Sequence, residues 1–232
     1  MAQDRTFFVI TIDGPAGAGK TTIARNLAQR LDFCMLDSGA LYRALALALL
    51  RAGVKPENQS VPAELLESIE ISVEPDIGGM RLMLQSEDVS LRIRSEEVGN
   101  AASKFSAKPE VRKALLDIQR AVAKKCDIVA EGRDMGAVVF PFAQAKFFIT
   151  ADPEERAKRR YSELMRKGEK PFYEQVLSDM AARDQRDETR ALAPMIPADD
   201  ATIIDTTTLT PQDVTERILE RIEVIAGRAF KG

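Results

Sequence analysis

The segment GPAGAGKTT, Gly14 through Thr22, sets glycines, a lysine and two threonines in the spacing G-x-x-x-x-G-K-[ST]. Gly14, Gly17 and Gly19 let the backbone curl, with Pro15, Ala16 and Ala18 completing the loop, so that N–H groups can face a phosphate. A helix beginning there adds favourable dipole potential for an anion. Lys20 would place a point charge between β- and γ-phosphates, and the Thr21 hydroxyl, followed by Thr22, would be offered to Mg²⁺. The pattern carries this meaning only between a strand and a helix. The sequence supplies both, an apolar run at 7–13 and a helical pattern at 21–30. A glycine-rich turn with a chance Lys-Thr would lack that setting, so the chain is expected to bind a nucleoside triphosphate.

Two further turns carry unusual chemistry. LDSGALYR, residues 36–43, joins an apolar run to a helix through Asp37, Ser38, Tyr42 and Arg43. An Asp/Ser helix cap followed by a surface Tyr and Arg explains it equally well when it is taken alone. EGRDMG, residues 131–136, ends a strand in Glu131 and continues into Arg133 and Asp134. A plain metal-binding acid would need no such continuation, which points to a second ligand. Arginines also gather on two helical faces. Arg156, Arg159 and Arg160 lie at i, i+3 and i+4, and Arg183, Asp187 and Arg190 at i, i+4 and i+7. Each set alone reads as a solvated, salt-bridged face. Together, arginines in four segments around one phosphate loop suit transfer of a phosphoryl group between two anions, because guanidinium groups grip phosphate bidentately and stay charged. No N-K-x-D guanine-reading motif is present, which argues against a GTPase switch.

Composition narrows the chemistry. Among 232 residues there is no histidine, so His general bases, His-ligated metals and Ser-His-Asp triads are excluded from this chain. A formal charge of -3 gives no global basic field for nucleic acid or membrane. No apolar run is long enough to span a bilayer, and the MAQDRTFFVITID start lacks the pattern of a signal peptide. Cys34 and Cys126 sit in apolar runs and are expected to be buried thiols in a reducing cytoplasm.

These groups must be positioned by elements that the hydrophobic pattern outlines. Five near-continuous apolar runs, 7–13, 32–37, 126–131, 145–151 and 201–205, alternate with helical patterns at 21–30, 40–51, 110–124, 153–166, 173–190 and 211–227. That alternation predicts an α/β fold with a parallel sheet covered on both faces. Runs at 69–74 and 80–85 flank PDIGG as an antiparallel hairpin, with 89–94 as a possible third strand. Residues of about 62–98 are therefore expected to form a small β insertion. The expected single domain has core segments 1–61, 99–152 and 191–232, with lid and acceptor-facing helices at 153–190. The polar stretch RKGEKP, 166–171, breaks those helices and is a candidate for mobility.

Over residues 7 to 225 the chain resembles the bacterial cytidylate (CMP) kinases, a branch of the P-loop nucleoside monophosphate kinases. The resemblance rests on ITIDGPAGAGKTT, LDSGALYRALAL, EVGNAASKFSAKPEVRKAL, EGRDMGAVVFP, ADPEERAKRR and RDQRDETRALAPMIPADDATIIDTT, in that order. It implies a P-loop kinase fold with a five-stranded parallel sheet, a monophosphate-binding insertion and a lid. It implies ATP and Mg²⁺, with CMP or dCMP as acceptor, no nucleic-acid or membrane partner, and a cytoplasmic monomer. Residue by residue, it implies that Arg43 and Arg133 hold the CMP phosphate, with Arg190 reaching toward the transferred group. Ser103, Arg112 and Asp134 would read the cytosine, Arg183 and Asp187 would face the ribose, and Ser38 and Tyr42 would line the pocket. Lys20 and the Arg156, Arg159 and Arg160 face would stabilise charge in transit. Glu131 stands where an Asp is frequent, and Thr21 where some members have Gly or Ser.

The proposed readers suit cytosine. An acid and a hydroxyl can accept from its exocyclic amine while an arginine donates to N3 and O2. Uracil reverses the pattern at C4 and N3 and would leave buried groups unpaired. CMP and dCMP are thus expected as acceptors and UMP only poorly. Another monophosphate or a small hydroxylated metabolite remains the alternative acceptor.

Overall fold

The structure is a computed structural model and describes residues 7–227. Residues 1–6 of the stretch used in the signal-peptide reading, and the outer limits of the core at 1 and 232, lie outside the described residues. Five parallel strands form the main sheet: β1 (Val9–Asp13), β2 (Cys34–Asp37), β6 (Ile128–Glu131), β7 (Ala145–Thr150) and β8 (Thr202–Asp205), in the order β2-β6-β1-β7-β8. Every residue of β1 and β6 is buried, because helices cover both faces of the sheet centre, and this is why the runs read as continuously apolar.

The helices are α1 (Lys20–Leu31), α2 (Ser38–Arg51), α3 (Ala63–Ser68), α4 (Glu96–Phe105), α5 (Pro109–Val122), α6 (Pro153–Arg166), α7 (Tyr173–Thr189) and α8 (Pro211–Ala226). On one side, α1 and α8 bury Ile23, Leu27, Val214, Ile218 and Ile222 against Ile10, Ile12 and Phe147. On the other, α2, α4 and α5 build the larger apolar cluster around Leu41, Leu45, Phe105 and Leu115.

The insertion forms a second, antiparallel sheet of β3 (Ile71–Asp76), β4 (Gly79–Leu84) and β5 (Glu87–Asp88). Its hairpin matches the expected one, but the third strand does not. Residues 89–94 were expected as strand; instead β5 is two residues long and Arg92–Arg94 form a 3₁₀ turn. Val89 and Ile93 are buried while Leu91, between them, is 81% exposed. Val89, Leu91 and Ile93 mimic strand alternation in sequence, yet the inward pair is four apart and Ile93 N–H donates to the Val89 carbonyl at 3.1 Å. Leu82, Leu84, Val89 and Ile93 join the same buried cluster as α2 and α5.

Helices α3 and α4 had no predicted counterpart. The α4 segment carries Gly99 and Asn100, both poor helix formers. It is secured by the Ser95 side chain, which accepts from Val98 N–H at 3.3 Å, and by Glu96 and Glu97 in the first turn. Burial of Val98, Ala101, Ala102 and Phe105 then outweighs weak local propensity. Cys34 and Cys126 are free and half-buried rather than fully buried, since β2 is an edge strand and Cys126 precedes β6.

Candidate active site

The carboxyl ends of β1, β2 and β6 open onto one cleft of about 1200 Å³. That exceeds the range of about 300–1000 Å³ common for a single small ligand and leaves room for two. Parallel sheets place ligands at this edge, where loops leave the strands for the helices.

From β1 the chain enters the loop at Gly14. Its φ of 139° and the position a Cβ would take, 1.9 Å from the Ile149 carbonyl oxygen, admit no side chain. Gly17 lies close to the Arg156 carbonyl, with 2.9 Å left for a Cβ. Lys20 opens α1, is buried, and donates from Nζ to the Pro15 carbonyl at 2.7 Å. Burial, then the charges of Arg133 and Arg183, bring its ammonium down to about 7, with Glu131 and Asp13 resisting. A phosphate arriving at the loop would restore the charge.

Glu131 ends β6 beside Asp37 of β2, with the Thr21 side chain near its carboxyl. Burial, then Asp37, raises its carboxyl to about 7 despite Lys20 and Thr21. Its Oε1 is buried and has no hydrogen-bond partner among the described residues.

On the acceptor side Asp37 caps α2, its carboxylate accepting from Ala40 N–H at 2.9 Å. The bland part of the reading of 36–43 therefore holds for Asp37. Ser38 and Tyr42 are buried and line the cleft. Arg43 lines it too, half-buried, with no hydrogen bond or ion pair among the described residues. Tyr42 carries the Arg112 guanidinium over its ring at 5.7 Å from the centroid, a cation–π arrangement. Arg112 is ion-paired with Asp134, whose other oxygen accepts from Arg190 at 3.4 Å. Arg133 binds Asp187 at 3.0 Å, and Arg183 and Arg190 approach the same carboxylate at 4.0 Å. Burial opposes the charge on Asp187, but Arg133, Arg183 and Arg190 outweigh it and hold the carboxyl below its usual range. At Asp134 burial wins over Arg112 and Arg190, and the carboxyl is raised. Ser103 Oγ and Arg183 Nε are buried without hydrogen-bond partners among the described residues. Such groups cost free energy until something binds them.

The lid arginines do not act as one face. Arg159 and Arg160 line the cleft. Arg159 donates to the Thr206 carbonyl at 2.7 Å and pairs with Glu155 at 3.0 Å. Arg160 pairs with Glu96 and Glu163, both at 2.9 Å. Arg156 departs from its expected place among the phosphate-facing groups. It is buried behind the phosphate loop, bonded to the Ala151 and Ala16 carbonyls at 3.0 and 3.1 Å and ion-paired with Asp184. A period of 3.6 places the first of three such residues on the inner flank of the helix, where the loop and α7 claim it.

Sequence reading assigned no role to several residues that shape the cleft. Thr206, Leu209, Pro211 and Val214 line it next to Arg159. The DTT that follows the last strand was the available signal. Asp13 was also missed. It is buried at the end of β1 and accepts from Met135 N–H and Gly136 N–H, each at 2.8 Å. Burial pushes its carboxyl from 3.8 up to about 6 against those two N–H groups, with Asp134 adding to the rise and Lys20 opposing it. A folded value above the unfolded one gives a contribution that is full below about pH 4 and lost as pH rises through about 6. The stability advantage of wild type over Asp13→Asn is therefore expected to shrink by about 3 kcal/mol between pH 4 and 7, followed by urea unfolding at each pH. A difference that does not change with pH would rule the effect out.

The cytidylate kinase family model matches residues 10–224. A cytidylate kinase of Vibrio cholerae is 48% identical over 215 residues, covering 93% of this chain and 96% of the relative. One from Pasteurella multocida is 46% identical over 215 residues, covering 93% and 95%. One from Mannheimia succiniciproducens is 48% identical over 214 residues, covering 92% and 95%.

Proposed function

This chain belongs to the cytidylate kinase family, and on that premise we propose how its cleft transfers the γ-phosphoryl group of ATP to CMP, giving CDP and ADP. The observation that carries the assignment of the acceptor end is the group of Ser103, Arg112 and Asp134: a hydroxyl without a partner, a guanidinium and a carboxylate at one end of the cleft. The hydroxyl and the carboxylate can accept from the cytosine amine, and the guanidinium can donate to N3 and O2. Arg43 and Arg133 hold the CMP phosphate, Arg183 and Asp187 face the ribose, and Ser38 and Tyr42 wall the pocket. Arg190 spans from Asp134 and Asp187 toward the transferred group.

ATP lies on the Gly14–Thr22 loop with Lys20 at its β- and γ-phosphates. Arg159 and Arg160 come in from α6. A CMP phosphate oxygen, already ionised, forms the new bond to the γ-phosphorus in line as the bond to the β,γ-bridging oxygen of ATP breaks. The electron pair leaves on ADP. No general base is required, which suits a chain without histidine. Positioning and charge stabilisation by the arginines and Lys20 supply most of the acceleration.

Mg²⁺ fits the residues present. The partnerless Oε1 of Glu131 and the Thr21 hydroxyl beside it are hard oxygen donors next to the phosphate loop. Thr21 and Glu131 would hold the ion, directly or through water. When bound it neutralises charge on the β- and γ-phosphates. No helix among the described residues is long and apolar enough to cross a membrane. We read the enzyme as cytoplasmic, supported by its free half-buried thiols, and, as the family resemblance implies, as a monomer.

A coupled ADP-release assay with CMP, dCMP, UMP and AMP tests the acceptor. We expect CMP and dCMP to turn over and UMP to fall behind by about 10²-fold or more in kcat/KM, given the buried groups that uracil would leave unpaired. Asp187 loses one ribose hydroxyl in dCMP, and water can replace it. Equal use of UMP and CMP would overturn the assignment of Ser103, Arg112 and Asp134.

A further inference from the structure

Arg133 and Asp134 sit on a short turn, and the turn hangs from a single strand. On its near side Gly132 N–H donates to the Ile12 carbonyl at 3.0 Å. On its far side Met135 N–H and Gly136 N–H donate to the two carboxylate oxygens of Asp13, each at 2.8 Å. A π-helical turn, Met135–Val139, starts at these same N–H groups. Arg133 and Asp134 are thus suspended between two consecutive residues of β1. Asp13 itself is buried, does not line the cleft, and its side chain bonds only to backbone N–H groups among the described residues.

The residue type matters. Two N–H donors face the two oxygens. A carboxylate accepts at both, whereas the amide of asparagine would turn a donor toward one of them. The approach is close as well: a Cβ on Gly136 would lie 2.8 Å from Thr11 Oγ1 and 3.4 Å from Asp13 Oδ2. The next residue along the chain from Asp13 is Gly14, so the ATP loop and the acceptor turn spring from one point.

We propose that Asp13 is a positioning residue for the acceptor site: by clamping the turn 132–136 it sets the aim of Arg133 and Asp134, and so the preference for CMP over UMP. The inference rests on the reading that those two residues meet CMP.

The first test is Asp13→Asn at pH 7.5 with CMP, UMP and ATP each varied. We expect KM for CMP to rise by about tenfold or more, the CMP:UMP ratio of kcat/KM to fall by about tenfold or more, and KM for ATP to stay within about twofold. A merely structural role lowers the active fraction and leaves both the ratio and KM unchanged, and that result would overturn the proposal. Gly136→Ala displaces the same turn with Asp13 intact, so it serves if Asp13→Asn does not fold. It should also lower the ratio, and Thr11→Ala in the same chain, which removes the nearest obstructing atom, should restore it. A wild-type ratio in Gly136→Ala, or no recovery in the double variant, counts against the clamp. Asp134→Asn separates the two readings. If it leaves the CMP:UMP ratio unchanged, the base assignment falls, and the clamp is then judged on KM for CMP alone, which Arg133 still governs.

Discussion

Lys20→Ala should lower kcat by about three orders of magnitude, since removing one preorganised charge at a transferring group costs about 10²–10³ and we propose that this lysine meets two phosphates. Protein stability should not fall with it. The ammonium is buried among cations, and its pKa is drawn down to about 7, so in the free enzyme its charge is held at a cost. With a folded value of about 7 against 10.5 in the unfolded chain, the destabilisation is full below about pH 7 and fades only as the pH rises toward 10.5, and alanine removes that penalty. The pair of measurements is a coupled ADP-release assay at saturating CMP and a thermal melt of the free protein. A kcat within about tenfold of wild type would remove Lys20 from the catalytic assignment. A melting point that drops by many degrees would show that the buried ammonium supports the fold.

Arg43→Ala should lower kcat/KM for CMP by about 10²–10³ while KM for ATP stays within about twofold. Arg43 differs from the other acceptor arginines in having no carboxylate partner among the described residues. A Cβ on Gly39 would stand 3.9 Å from its Nη1, and one on Gly99 4.0 Å from its Nε, so the guanidinium rests between the starts of α2 and α4. Its removal leaves no buried acid unpaired, so the stability cost should be about 0.5 kcal/mol or less. The loss is then assignable to the anion it would have held. Arg133→Ala, in contrast, leaves Asp187 with weaker partners at 4.0 Å and mixes the two effects. Steady-state kinetics with CMP varied at fixed ATP check the prediction. Unchanged CMP kinetics would return Arg43 to the role of an ordinary surface charge.

The sheet was legible because its strands are buried on both faces and leave unbroken apolar runs; strand positions at 9–13, 34–37, 128–131, 145–150 and 202–205 fall inside the expected ones. The phosphate loop was legible because its glycines are imposed by backbone contact, as at Gly14 against Ile149. Helix α4 was not, because Gly99 and Asn100 hide a helix that tertiary burial stabilises. The short third strand was misplaced because three apolar residues two apart fit a strand and also a turn with its middle residue outward. For the site, side chains carried on motifs could be named from spacing. Which of them face a ligand and which serve as struts could not. Arg156 and Arg159 are three apart on one helix, yet one braces the loop from behind and the other faces the cleft. Asp13 was invisible for the same reason, since its partners are backbone N–H groups 122 and 123 residues away.

The apolar side of the β3–β4–β5 insertion bears on protein engineering. An insertion with a separate core can be excised, lengthened or grafted onto a related scaffold at little cost to either part. Here Leu82, Leu84, Val89 and Ile93 belong to the cluster that α2 and α5 need, and the hairpin turn is fastened to α1 by Arg25, which donates to the Gly78 carbonyl at 3.2 Å. Excision would strip one wall from the helix that carries Ser38, Tyr42 and Arg43. A chimera that exchanges this segment must therefore exchange the facing residues of α2 and α5 with it, and a shortened version would have to refill that wall from another part of the chain.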